Sequence, residues 1–239
     1  MNIILFEQMP ARQTIVPSDY RYDHLRNILH LETGDSFTLG VVNQSKGRAT
    51  ITGYDAEGCH FTFVETDKDS SKLYPVTLLV SQVRPICMRR ILREAVSLGV
   101  QNIILCTCEL TEKSYQLAKL YTTGEYKSIL LDGAMQSGQT GVSQVFFAST
   151  VQEAIALLSD TSQKILLDNV IGTSSLSRMQ ITREEVVLSI GPERGFSDQE
   201  RALFLQAGFE PALLGKRILR TETACSGAIA VLLGRMGLL

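Results

Sequence analysis

Val186-Val-Leu-Ser-Ile-Gly-Pro-Glu-Arg-Gly-Phe-Ser-Asp-Gln-Glu200 is the stretch on which the fold turns. Val186–Ile190 is a compact apolar run of strand length, and it stops directly at Gly191-Pro192-Glu193-Arg194-Gly195. The two glycines permit close backbone approach or a positive φ, and Pro192 stiffens the bend. Ser197-Asp-Gln-Glu200 matches a capping box, which predicts a helix over Asp198–Gln206 just after the loop. Strand, glycine loop and capped helix in this order suit an α/β sheet, whose ligands bind beyond the carboxyl ends of strands. Taken alone, the loop reads equally as a tight connection or as a ligand site.

A second segment, Leu214-Gly-Lys-Arg-Ile-Leu-Arg-Thr-Glu-Thr-Ala224, tips the balance toward a ligand. Three cationic side chains, Lys216, Arg217 and Arg220, sit in a loop that runs into Thr221-Glu222-Thr223, a cap for the helix behind it. Gly215-Lys216 invites a phosphate-loop reading. That motif needs Ser or Thr after the lysine and a glycine five residues before Gly215, whereas this chain has Arg217 and Glu210, so the reading is excluded. The final helix, predicted over Thr223–Met236, is apolar on nearly every face and is expected to be buried, partly against another subunit.

Working outward, Val76–Val80, Ile103–Cys106, Val145–Phe147 and Ile165–Leu167 are further apolar runs, expected as buried strands. Met88–Leu98, Lys113–Tyr121, Glu125–Met135 and Val151–Leu158 alternate with them at helical spacing. This grammar predicts a mainly parallel sheet covered on both faces. Up to about residue 65 the grammar differs. Ile3–Phe6, Phe37–Val42, Ala49–Tyr54 and His60–Val64 are short and broken by turn residues, as in a small sheet or barrel. One helix is predicted there, over Ser18–Leu31, and Thr66–Lys72 reads as a linker. Two domains result, residues 1–70 and 71–239.

A chain of 239 residues with 44% hydrophobic and 20% charged residues can bury a substantial core. A net charge of -2 provides no global attraction to nucleic acid, so a polyanion has to be held by a local basic patch. Cationic residues gather at Arg12, Arg21 and Arg26, at Arg84, Arg89, Arg90 and Arg93, and at Lys216, Arg217 and Arg220. Five cysteines, at 59, 87, 106, 108 and 225, fit neither a redox motif nor paired zinc knuckles; they read as reduced, buried hydrophobes, and no metal site is expected. No apolar run approaches the roughly 20 residues that cross a bilayer, and the start of the chain lacks a signal peptide's features. A cytoplasmic protein is expected.

The two C-terminal segments and the small-residue last helix together resemble the signature of the RsmE family, small-subunit ribosomal RNA uridine-N3 methyltransferases of the knotted SPOUT class. Weaker likenesses extend over nearly the whole chain: His24-Leu-Arg26 with Gly34-Asp35, Glu94-Ala95 with Leu98-Gly-Val100, and Gln136-Ser-Gly138. The resemblance implies an α/β fold with a C-terminal SPOUT-type, trefoil-knotted domain over a mainly parallel sheet, and a small N-terminal PUA-like β-barrel that helps hold RNA. It implies S-adenosylmethionine as cofactor, bent among the knot loops and held largely by backbone groups, in a homodimer. The implied partner is ribosomal RNA or the small ribosomal subunit, with a role in ribosome biogenesis and no membrane.

Carried onto this chain, the implied cofactor-binding residues are Leu167, Ile190, Gly191, Pro192, Glu193, Gly195, Leu214, Gly215, Ile218, Leu219 and Thr221. Methyl transfer from a sulfonium is a direct displacement, so alignment and removal of the uridine N3 proton are the tasks to be met. Arg220 is the candidate for substrate phosphate or developing negative charge, and Glu222 the candidate for proton handling. The plainer alternative is that these two pair with one another, or that Glu222 only favours a helix N-terminus. Arg12, Arg26, Arg84, Lys216 and Arg217 are the candidate RNA contacts. Replacement of Gly195 by Val is expected to block the cofactor's access.

The chain departs from the family pattern at charged positions. His30 stands where an arginine is usual, Ala134-Met-Gln-Ser-Gly-Gln139 replaces an Ala-Glu-Gln-Ser-Gly-Arg stretch, and a Lys-Gly-Asp element is replaced around Pro85-Ile-Cys-Met88. Two readings follow: a ribosomal RNA methyltransferase, or a noncatalytic or substrate-altered dimeric RNA-binding paralogue.

Overall fold

The computed structural model of the protein describes residues 2–239. The chain divides into two compact units: residues up to Lys72 together with Ala134–Val142, and Leu73–Gly133 together with Ser143–Leu239.

The first unit holds β1 (Ile4–Phe6), β2 (Thr14–Ile15), α1 (Tyr20–Asp23), β3 (Ser36–Val41), β4 (Lys46–Tyr54) and β5 (Cys59–Asp67). They form one sheet in the order β1-β3-β4-β5-β2, parallel between β1 and β3 and antiparallel elsewhere. Phe6, Leu25, Leu39, Ile51 and Phe61 fill its core. The helix predicted over Ser18–Leu31 is shorter than its spacing suggests. Asp19 caps α1 by accepting from the Arg21 amide, and the chain then widens into a π-turn at His24–Ile28, where the Leu29 amide donates to the His24 carbonyl. The widening keeps Leu25 fully buried while Ile28 and Leu29 are exposed, so only part of the apolar stripe faces the core.

Thr66–Lys72 is not a free linker. β5 runs on to Asp67, and the buried Ser70 hydroxyl lies 3.1 Å from that of Thr140. Thr140 in turn donates to the Gln44 carbonyl at 2.5 Å, and Lys46 Nζ donates to the Gly138 carbonyl at 2.8 Å. These bonds draw Ala134–Val142 into the first unit, a return that a linear reading of the chain cannot show.

The second unit runs β6 (Tyr74–Ser81), α2 (Pro85–Ser97), β7 (Val100–Cys106), α3 (Lys119–Thr122), α4 (Glu125–Ser137), β8 (Gln144–Ala148), α5 (Val151–Ala156), β9 (Gln163–Leu167), β10 (Ser174–Ser175), β11 (Val186–Ile190), α6 (Asp198–Gln206), β12 (Glu210–Leu213) and α7 (Thr221–Arg235). Its seven strands are all parallel, in the order β10-β12-β9-β11-β6-β7-β8. Every residue of β11 is buried, as expected of a strand flanked on both edges and covered on both faces. Val151, Ala154, Phe204 and Phe209 pack on Leu79, Ile104, Leu166 and Val187; Phe204 stacks edge-on with both Phe196 and Phe209 at 4.8 Å. α7 packs against α2 and β11.

Two expectations are corrected. Lys113–Tyr121 is not one helix but a 3-10 turn over Lys113–Leu117 followed by α3, because Ala118 is extended and serves as the N-cap. β8 is an edge strand rather than a buried one, with Phe146 and Phe147 exposed. β10 and β12 carry no sequence signal: one is two residues long, and the other contains Pro211. The cysteines are all free, and all but the half-buried Cys87 are buried. No helix among the described residues is long and apolar enough to cross a membrane.

Candidate functional site

β9, β11 and β12 end side by side: Ile190 pairs with Leu167, which pairs with Ala212. The loops that follow them, at residues 168–171, 191–195 and 214–219, therefore meet beyond the carboxyl ends of adjacent strands. They enclose a cleft of about 380 Å³. All eleven residues predicted for the cofactor, Leu167, Ile190, Gly191, Pro192, Glu193, Gly195, Leu214, Gly215, Ile218, Leu219 and Thr221, line it.

The local sequence explains why the central loop holds its form. The Gly195 amide donates to the Pro192 carbonyl at 2.9 Å, and Gly195 has φ +74°, a left-handed conformation that glycine adopts without penalty. A Cβ at Gly191 would lie 3.1 Å from the Phe196 ring, so the loop is also packed closely against the core. Behind it the capping box is complete: Ser197 Oγ accepts from the Glu200 amide at 3.1 Å, and Glu200 Oε2 accepts from the Ser197 amide at 2.9 Å. Glu200 is buried, and its other oxygen accepts from the Glu109 amide at 2.8 Å, so each oxygen of the buried carboxylate is met by a backbone amide.

A second recess of about 670 Å³ shares Pro192, Glu193, Ile218, Leu219 and Thr221 with the cleft. Arg84, Cys87, Tyr115, Arg220 and Glu222 line it. The two catalytic candidates thus line one recess that adjoins the cofactor-sized cleft. They do not pair with each other: the cation nearest Glu222 is Arg90, at 3.9 Å, and Arg220 is exposed at the N-cap of α7. Glu222 lies in the first turn of α7, where its charge favours the helix N-terminus. Burial, reinforced by the Glu222 carboxylate, pushes the Cys87 thiol above its ordinary value, so it stays protonated and is a poor nucleophile.

The predicted RNA contacts are divided. Arg84 lines the recess, with its amide donating to Glu193 Oε1 at 3.3 Å; the exposed Arg217 lines the cleft, and Lys216 beside it in the chain is exposed but lines neither space. Arg12 and Arg26 are exposed in the first unit, Arg26 lying 4.3 Å over the Tyr54 ring. Several neighbouring cations are already committed. Arg21 pairs with Asp19 and donates to the Leu5 carbonyl, Arg89 forms a two-pronged pair with Glu125, and Arg93 pairs with Asp132. Asp168, Asn169, Val170 and Arg201 also line the cleft and were not foreseen. A polar residue directly after the Ile165–Leu167 run was the available signal for Asp168; Arg201 had none.

Among known proteins, the RNA methyltransferase domain family matches residues 69–233. Ribosomal RNA small subunit methyltransferase E of Treponema pallidum is 33% identical over 241 residues, which span 98% of this chain and 91% of that protein. Ribosomal RNA small subunit methyltransferase E 1 of Borreliella burgdorferi is 31% identical over 95% of each chain. The crystal structure of ribosomal RNA small subunit methyltransferase E from Neisseria gonorrhoeae bound to S-adenosyl methionine superposes with a TM-score of 0.82 at 25% identity, covering 98% of this chain and 97% of that one. With the strand-end cleft and both glycine segments in place, the chain belongs to the ribosomal RNA small subunit methyltransferase E family of RNA methyltransferases.

Proposed function

We propose that this protein methylates ribosomal RNA with S-adenosylmethionine as donor, at N3 of a uridine of the small-subunit RNA. The observation that carries the reading is the convergence of both glycine segments on one cleft at the ends of β9, β11 and β12. Its volume of about 380 Å³ falls within the roughly 300–1,000 Å³ usual for cofactor sites. The cofactor brings a methyl group made electrophilic by a sulfonium; the protein's own contribution is binding, alignment and charge. Leu167, Ile190, Gly191, Pro192, Glu193, Gly195, Leu214, Gly215, Ile218, Leu219 and Thr221 hold the cofactor, mainly through backbone groups, in the knotted arrangement that the family likeness implies. Loss of the N3 proton spreads negative charge over the uracil carbonyls, and Arg220 meets that charge or an adjacent phosphate from the recess. Glu222, which lines the same recess as Arg220, is the carboxylate assigned to the proton.

Arg12, Arg26, Arg84, Lys216 and Arg217 contribute phosphate contacts, the first two from a PUA-like first domain. We place the enzyme in the cytoplasm, where ribosomes are assembled, and read it as a homodimer in which α7 takes part. A noncatalytic paralogue is disfavoured: both glycine loops are intact, and of the departures from the family pattern only Pro85–Met88, with Cys87 at the recess, falls in the unit that bears the cleft.

Titration calorimetry with S-adenosylmethionine, followed by transfer of labelled methyl to small ribosomal subunits lacking the modification, tests the reading. Saturable binding with transfer to a uridine is expected. Binding without transfer to any ribosomal RNA species would refute it, and sedimentation of a monomer would refute the dimer.

A further inference from the structure

Asp168 closes β9 at its carboxyl end, and its side chain is only 2% exposed. Its Oδ1 accepts from the Val170 and Ile171 amides at 2.7 and 3.1 Å, and its Oδ2 from Arg201 Nε at 2.9 Å. The Gly172 amide donates to the Asp168 carbonyl at 3.0 Å. A Cβ at Gly172 would meet that carbonyl and the one of Ala212, so the turn after β9 lies tightly on β12. Arg201 reaches in from α6, the helix that mounts the Gly191–Gly195 loop. Its Nη1 donates to Asp198 at 2.8 Å, and its Nη2 lies 3.5 Å from the Cβ position of Gly195. One guanidinium therefore bonds the turn after β9 and the start of α6 and lies beside the loop after β11, all of which bound the same cleft.

The geometry points to Asp168 and Arg201 as a positioning pair that sets the spacing of the cofactor-binding loops, so that cofactor affinity, and not turnover at saturating cofactor, depends on it. The inference rests on S-adenosylmethionine being the occupant of this cleft. A buried carboxylate with two of its donors from the turn and one from α6 cannot move without dragging both walls. Both Asp168 oxygens are engaged by the protein, which suits holding the walls rather than contacting the ligand.

The test is calorimetry and steady-state kinetics with S-adenosylmethionine on the full chain. Arg201→Met and Asp168→Asn should each raise Kd and the cofactor KM roughly tenfold or more, a change of about 1.4 kcal/mol. Turnover at saturating cofactor should stay within about twofold. The double variant should lose little more than the worse single one, since the two residues act as a unit. Arg201→Lys should recover part of the affinity through a single contact to Asp168, and Asp198→Asn, at a carboxylate whose side chain is 97% exposed, should leave it unchanged. Folded Arg201→Met protein with wild-type Kd and KM, or a fall in turnover with KM unchanged, overturns the pair. Should Arg201→Met fail to fold, unchanged KM in Arg201→Lys does so. Wild-type protein that binds no S-adenosylmethionine refutes the methyltransferase reading itself, a result separable from either.

Discussion

Replacing Gly195 by alanine tests whether the form of the central loop, rather than free space, governs cofactor binding. At φ +74° an L-residue costs roughly 1–2 kcal/mol relative to glycine. The added methyl would stand 3.5 Å from Arg201 Nη2, an ordinary contact, so the protein itself accommodates it. Backbone strain therefore acts beside the expected blocking of the cofactor, and is larger for a β-branched valine than for alanine. On one side the loop is anchored by the Pro192 turn, and on the other by the buried Phe196 and the capping box. The strain is relieved most easily by the loop's leaving its binding-competent form. Apparent affinity falls by the competent fraction, so 1–2 kcal/mol corresponds to a rise in Kd of about 5- to 30-fold. Calorimetric titration with S-adenosylmethionine, beside a thermal melt, measures both. Gly208→Ala is the control: Gly208 has φ +81° with open space around it, and it lies between α6 and β12 rather than on the cleft. It should lower Tm without weakening binding. Equal Kd for Gly195→Ala and wild type, with Tm lowered as in the control, would refute the reasoning.

Arg220→Ala should lower kcat/KM for RNA by roughly 10- to 100-fold, the worth of a charge-assisted hydrogen bond, and leave the cofactor Kd unchanged; parallel losses in both would show that Arg220 serves the cofactor instead. Ser197→Ala removes the acceptor of the capping box and should cost about 1 kcal/mol, a fall in Tm of about 2–4 °C by calorimetry; an unchanged Tm would mean that Glu200 alone holds the helix start. The Arg89 guanidinium, hydrogen-bonded to Glu125, holds that carboxyl below its usual range. Its folded value is the lower one, so the pair stabilises the protein above the ordinary carboxylate range and the contribution is lost as pH falls through the lowered value. Glu125→Gln should make the acid side of a Tm-against-pH curve shallower, by a small amount because the pair is exposed; identical curves would show that the pair contributes nothing.

Legibility in the sequence followed locality. α6 spans Asp198–Gln206 as its capping box indicates, and the apolar runs at β6, β7, β9 and β11 are strands, because in each case neighbouring residues carry the signal. The residues predicted for the cofactor line one cleft for the same reason: they come mostly from two contiguous segments, each of which leaves a strand end. What the sequence hid depends on distant pairing. β12 contains Pro211 and is held by β9, while Asp168 and Arg201 meet from 33 positions apart. Ala134–Val142 is claimed by Gln44, Asn43 and Ser70, none of which advertises a partner. The stretch Lys113–Tyr121 shows helical spacing but bends at Ala118, and β8 is apolar yet lies at an edge; periodicity reports side-chain type, not what finally covers it.

The central claim is tested most directly by mass spectrometry of small-subunit ribosomal RNA from cells that lack the gene, complemented either with the wild-type chain or with Arg220→Ala. One methylated uridine should disappear on deletion, return with the wild-type chain and stay largely absent with the variant. Ribosomal RNA whose methylation is identical in all three strains would contradict it.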